Sequence, residues 1–166
     1  MASSTHSAQP LFVLNGSNLN MLGQREPGLY GTTTLAQIRK RTEDLATELG
    51  LACDFRQTNH EGVMVDWIQE ARTEAAGIIL NAGAYTHTSI AILDAMKAFE
   101  GPIIEVHISN IHARDEHHRH SKLSTAARGV ICGLGTYGYM VAMQAAVQML
   151  GQLPQSLPTP LRIGPK

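Results

Sequence analysis

Short apolar runs alternate along this chain with longer segments of helical periodicity. Leu11-Phe12-Val13-Leu14 is a continuous apolar run ending at Asn15-Gly16, the pattern of a strand buried on both faces. In residues 33–49, Leu35, Ile38, Leu45 and Leu49 fall on one helical face, and Gly50 stops the helix. Residues 51–57 predict a second strand, and Met64, Trp67, Ile68 and Ala71 mark a second helix. Residues 77–80 predict a third strand, which ends at Asn81-Ala82-Gly83. A single third helix is expected over residues 86–99, a fourth strand over residues 103–107, and a short fifth strand over residues 130–133. The last helix is expected over residues 135–150, with Met140, Met143, Val147 and Leu150 turned inward.

Strands that alternate with helices imply right-handed βαβ crossovers and a parallel sheet covered on both faces. The expectation is a flavodoxin-like α/β three-layer sandwich around a five-stranded parallel sheet. No polar linker interrupts the alternation, so residues 10–151 read as one domain. Residues 1–9 read as a disordered N-terminal tail, because they are rich in Ser, Thr and Ala and lack an apolar core. Residues 152–166 read as a Pro-rich C-terminal arm.

Composition narrows the function. The 166 residues carry 13 Lys and Arg against 14 Asp and Glu, a formal charge of −1, which disfavours gripping nucleic acid or an anionic membrane by bulk charge. Hydrophobic residues make up 43% and charged residues 16%, enough apolar surface to fold without metal or disulfide staples. No apolar stretch approaches the ~20 residues of a membrane span. The two cysteines, Cys53 and Cys132, sit in apolar runs and read as buried, unpaired thiols, which fits a reducing cytoplasm.

In an open parallel sheet the ligand crevice lies beyond the carboxyl ends of the strands. The first strand delivers Asn15 and Asn18 there, the second Asn59, His60 and Glu61, the third Asn81 and His87, and the fourth His107, Ser109 and Asn110. Turn chemistry explains some of these Asn residues. Glu105 and His107 are two apart and share a strand face. Two readings stand: a general acid with its orienting carboxylate, or a satisfied core pair. The Gly-rich stretch 22–31 lacks phosphate-loop and dinucleotide spacings, and reads as a lid with glycine hinges or as an ordinary surface loop. His112, His117 and His120 lie near acids, but Arg114 and Arg119 would repel a cation, so a solvated turn competes with a metal site.

Five blocks resemble the type II 3-dehydroquinate dehydratase family. They are Asn15-Gly16-Ser17-Asn18-Leu19-Asn20 with Leu22-Gly23 and Arg25-Glu26-Pro27; Tyr30-Gly31; Asn59-His60-Glu61-Gly62; Asn81 to Ser89; and Glu105 to Arg114. Gly129 to Gly135 and Gly138-Tyr139 are similar to the family as well. The resemblance implies dehydration of 3-dehydroquinate to 3-dehydroshikimate without metal, cofactor or Schiff base. It implies Tyr30 as the base, Arg25 as its activator, Asn18 as the holder of a water at the enolate, and His107 as the general acid oriented by Glu105. Asn81 and His87 would bind hydroxyls, and Ile108 and Ser109 the carboxylate. The family assembles as a dodecamer of trimers, with Asp94 reaching a neighbouring site. Three positions depart from its pattern. Ser17 and Ala82 stand where Pro is usual, which predicts softer loops, and His118 stands where the family has a substrate-binding Arg. Either His118 or Arg119 takes that contact. Two other functions remain open beside the dehydratase: a binding module that has lost catalysis, and a metal hydrolase. Aromatic biosynthesis and quinate breakdown remain open as roles.

Overall fold

The computed structural model describes residues 9–24, 28 and 31–152. The expected N-terminal tail, the C-terminal arm, Arg25 and Tyr30 therefore fall outside the described residues, save for a few positions at the boundaries of the two terminal segments. Strand β1 is Leu11–Asn15, helix α1 Leu35–Glu48, β2 Cys53–Gln57, α2 Glu61–Glu74 and β3 Gly77–Asn81. They are followed by a short helix α3, Tyr85–Thr88, then α4 Ile90–Lys97, β4 Ile103–His107, β5 Gly129–Cys132 and α5 Tyr137–Met149.

The strands form one sheet in the order β2-β1-β3-β4-β5, with every neighbouring pair parallel. This is the flavodoxin-like order expected from the alternation. Successive strand residues point to opposite faces, and the core divides accordingly. Leu11, Val13, Ile79, Ile104 and Val106 pack under Ile38 and Ala46 of α1 and Met143 and Ala146 of α5. Phe12, Leu14, Ile78, Leu80 and Ile103 pack under Met64 and Ile68 of α2 and Ile92 and Met96 of α4.

Helix α1 begins at Leu35, the first apolar position of its pattern and two residues after the start of the expected segment. Thr34 caps it by accepting from Gln37 N, while the Gln37 side chain accepts from Thr34 N, a reciprocal capping box. The single helix expected over residues 86–99 is two helices. Ser89 adopts an extended backbone, and its hydroxyl accepts from Ile92 N, so a new helix starts there. The last helix starts at Tyr137 rather than residue 135, since Gly133 and Gly135 both have positive φ. Cys53 and Cys132 are free but only half-buried, a correction to the expected burial. They lie on β2 and β5, the two edge strands, which have a neighbour on one side only. Burial, with Glu43 and Asp54 nearby, still pushes the Cys53 thiol up to about 12. Leu150 is likewise half-buried beyond the end of α5.

Among the described residues the β2 edge is covered by charge rather than by a further strand. Arg56 pairs with Asp54 at 2.7 Å and with Glu70 of α2 at 2.6 Å, and its guanidinium stacks 4.4 Å from the Phe12 ring centroid.

The central strands should dominate stability. Ile79 is fully buried, whereas Val130 is 41% exposed. Ile79→Ala should cost about 3 kcal/mol in urea unfolding, and Val130→Ala less than about 0.5 kcal/mol. Equal costs would contradict this division of the core.

Candidate active site

The strand order reverses between β1 and β3, and a cleft of about 110 Å³ opens at the carboxyl ends there. Its wall comes from the loops after β1, β3 and β4. The register sets Gln57, Asn15 and Asn81 side by side at the ends of β2, β1 and β3.

The first two loops are locked together through their backbones. Gly16 N donates to Asn81 O at 2.7 Å. A Cβ on Gly16 would sit 2.1 Å from Ala82 O, so only glycine permits the approach. Gly83, at φ +61°, would bring a Cβ within 2.7 Å of Ser17 O. Ala82 is fully buried in this contact. Asn18 follows in the left-handed region at φ 66°, a conformation that Asn tolerates better than most residues. Asn59 Oδ1 holds it there by accepting from Asn18 N at 2.9 Å, and also accepts from Gln57 Nε2 at 3.1 Å. Tyr85 Oη in turn donates to Asn59 O at 2.7 Å.

Beneath the cleft lies a buried polar relay. Tyr139 Oη donates to Asn15 Oδ1 at 2.7 Å and accepts from Asn81 Nδ2 at 2.9 Å. Asn81 Oδ1 accepts from Gly83 N at 3.3 Å, so both ends of the amide are assigned. Complete burial pushes the Tyr139 hydroxyl well above the ordinary phenol range, and it stays a neutral donor. Tyr139 therefore ties α5 to the ends of β1 and β3 and fixes how Asn81 faces the cleft.

Strand β4 brings Glu105 and His107 onto one face, as their spacing requires. Glu105 is completely buried and His107 only 5% exposed. His107 Nε2 lies 2.6 Å from Glu105 Oε1, which also accepts from Ser121 Oγ at 2.6 Å. With Nε2–H donated to the carboxylate, Nδ1 is the nitrogen left for the cleft.

His87 Nδ1 lies 2.7 Å from His120 O. A carbonyl can only accept, so Nδ1 carries the proton and Nε2 a lone pair in the neutral ring. Burial holds the His87 pKa below the usual histidine value, against the His120 carbonyl, and the charges of His118, His107 and Arg114 act in the same direction as burial. His118 meets the His87 ring edge-on, with centroids 5.3 Å apart, and its Nδ1 is 2.8 Å from Asp115 Oδ2.

Asn18, Asn81, His87, His107, Ile108, Ser109 and His118 all line the cleft, with Glu105 directly behind His107. Arg119 is exposed and does not line it, so His118 occupies the wall where sequence left the two open. Asp94 also stands apart, 66% exposed on α4 beside Lys97 at 3.5 Å. Arg25 and Tyr30 lie outside the described residues. Among the described residues no three His, Cys, Asp or Glu side chains cluster to hold a metal. Sequence reasoning missed Tyr139 and Ser121, which act through long-range bonds, and weighed Arg114 against a metal site although it lines the cleft.

A family model described as dehydroquinase class II matches residues 9–147. The chain is similar to 3-dehydroquinate dehydratase 1 of Agrobacterium fabrum, with 55% identity over 135 residues that cover 81% of this chain and 93% of the relative. It is similar to 3-dehydroquinate dehydratase 2 of Pseudomonas putida, with 53% identity over 140 residues that cover 84% and 94%. The crystal structure of a type II dehydroquinase from Propionibacterium acnes matches with a TM-score of 0.81 and 43% identity, covering 86% of this chain and 99% of that one. The family model spans the strands and loops that build the cleft, and the chain belongs to the class II dehydroquinase family of hydro-lyases.

Proposed function

We propose that this chain dehydrates 3-dehydroquinate to 3-dehydroshikimate and water through an enolate. The observation that carries the reading is the buried Glu105–His107 pair, 2.6 Å apart, at the floor of a cleft lined by Asn18, Asn81, His87, Ser109 and Arg114.

The first step breaks a C–H bond on the carbon beside the ketone. The electron pair forms a C=C bond, and the ketone oxygen takes the negative charge. Tyr30 is the base, matching the family's tyrosine. A free phenol of pKa ~10 is mostly protonated near neutrality. Arg25, five residues earlier, is the cation that favours its phenolate. Asn18 holds a water against the enolate oxygen, a preorganised dipole where charge develops. In the second step the ketone re-forms and the C1–O bond breaks. The acid is the His107 imidazolium: the departing hydroxyl takes the proton from Nδ1 and leaves as water, and the ring is left neutral with its Nε2–H still on Glu105. Glu105 holds the ring and places a negative charge opposite the imidazolium.

Binding follows from the remaining lining. His87 Nε2 accepts from a substrate hydroxyl, and Asn81 binds another with an amide already oriented by Tyr139 and Gly83. Ile108 and Ser109 present backbone N–H groups to the carboxylate. Their carbonyls accept from Gly135 N at 3.0 Å and Gly133 N at 3.1 Å, which fixes the turn that carries them. His118 takes the contact that the family gives to arginine, as a shorter donor. The chain works as a dodecamer of trimers in the cytoplasm. Asp94, exposed and away from its own cleft, is supported as a group offered to a neighbouring subunit. No helix among the described residues is long and apolar enough to cross a membrane.

The purified chain with 3-dehydroquinate should produce the ultraviolet absorbance of a conjugated enone. His107→Ala should lose that product by at least about a hundredfold while still exchanging the substrate C2 proton with solvent deuterium. A chain with no enone product, or a His107→Ala variant of near-normal turnover, would refute the reading.

The sign of the His87 shift gives a pH dependence. Its native pKa lies below the unperturbed value of ~6.5, so the neutral ring persists below the pH at which a free histidine charges. The hydroxyl-binding lone pair is present above ~6.5 and is lost as pH falls through the depressed value. KM should stay flat from pH 8 to about 6.5 and rise below it, tracking the His87 ring signal by NMR. A His87 midpoint at or above the unperturbed value would contradict this.

A further inference from the structure

Glu105 is a carboxylate with no exposed surface in the middle of a fully buried strand, and such a group requires donors. Both of its donors meet one oxygen. His107 Nε2 and Ser121 Oγ each lie 2.6 Å from Oε1, while Oε2 is buried with no partner among the described residues. The Ser121 hydroxyl has a single hydrogen. Its oxygen already accepts from Leu123 N at 3.1 Å and Ser124 N at 3.0 Å. With its lone pairs engaged, the hydroxyl has Glu105 as the acceptor for its hydrogen. It is a fixed donor rather than a free rotor.

The backbone that carries this hydroxyl is pinned on both sides. The carbonyl before it, His120 O, is 2.7 Å from His87 Nδ1. The amide after it, Lys122 N, donates to Thr86 O at 2.9 Å. We propose that Ser121 is a positioning residue that fixes the Glu105 carboxylate, and through it aims His107 Nδ1 at the departing hydroxyl. The inference rests on the dehydratase reading and extends it to a residue 16 positions from Glu105 in sequence.

The consequence is specific. An Oε1 that accepts from Ser121 has an acceptor site left for His107 Nε2–H, which leaves Nδ1 for substrate. Without the hydroxyl, the carboxylate is held at Oε1 by the imidazole alone and can turn about its Cγ–Cδ bond. His107 then loses its aim, and protonation of the leaving group suffers while removal of the C2 proton by a different group does not. The enolate returns to substrate more often than it expels water.

The test compares two rates on the full-length chain: solvent deuterium entering unreacted 3-dehydroquinate, and enone product forming. Ser121→Ala should raise the ratio of exchange to elimination by about ten- to hundredfold, the range expected for loss of a hydrogen bond to a charged group. Ser121→Thr keeps the hydroxyl and should restore the wild-type ratio. If the alanine variant does not fold, Ser121→Cys, a weak donor of similar size, should show the raised ratio instead. An unchanged ratio in a folded variant, or equal loss of both rates, overturns the inference and leaves Ser121 as a cap of the following turn. A threonine variant as impaired as alanine overturns it as well. A wild-type chain that neither exchanges nor eliminates overturns the dehydratase reading itself.

Discussion

A carboxylate sealed completely inside the protein, Glu105, sets the terms for the rest of the site. An unpaired charge there would be strongly destabilising, and removing one partner from a buried pair typically costs ~3–5 kcal/mol. The chain meets the demand with an imidazole two residues along the same strand and with a hydroxyl from the segment that returns over it. That return brings His118 and His120 against His87, so the wall of the cleft is assembled by the same requirement that satisfies the carboxylate. A second carboxylate–imidazole pair, Asp115–His118, lies at the rim and provides a contrast. Its side chains are 55% and 39% exposed, and water competes for both partners. Equal chemistry gives one pair a rigid aim and the other only a local preference, and burial decides which.

The opposite side of the cleft is built without charge. Tyr139 joins Asn15 to Asn81 across elements that are 124 positions apart between Tyr139 and Asn15. The hydroxyl is both donor and acceptor, so neither amide is left unsatisfied on that side. Gly16 and Gly83 then let the loops after β1 and β3 approach backbone to backbone. Together these features make a stiff floor at the point where the strand order reverses, with Asn18 and His87 mounted on its edges. Substrate groups would meet donors and acceptors whose orientation is set before binding.

Much of this was legible in the chain. β1 and β3 are continuous apolar runs, because both faces are covered, and the central strands end in polar residues: Asn81 and His107 line the cleft, and Asn15 lies buried beneath it. The Glu105–His107 contact follows from a strand period of two. Ser121 and Tyr139 were not legible as site residues, since their partners come from other elements and nothing local distinguishes them from a turn serine and a core aromatic. The break at Ser89 was hidden because Ile92 and Met96 continue the apolar spacing, while the capping hydroxyl that restarts the helix is a single residue. Cys53 and Cys132 sit in apolar runs, yet edge position rather than composition sets their exposure. That His118 rather than Arg119 lines the cleft depends on where a short turn points its side chains, which sequence does not encode at one-residue precision.

The most direct test of the buried pair is the protonation of the His107 ring, read by nitrogen NMR of the neutral imidazole. In the neutral ring that remains once Nδ1 has given up its proton, a proton on Nε2, shared with Glu105, and a bare Nδ1 toward the cleft are the predicted state. A ring protonated on Nδ1 and bare on Nε2 would contradict it, because the nitrogen facing the carboxylate would then have nothing to donate.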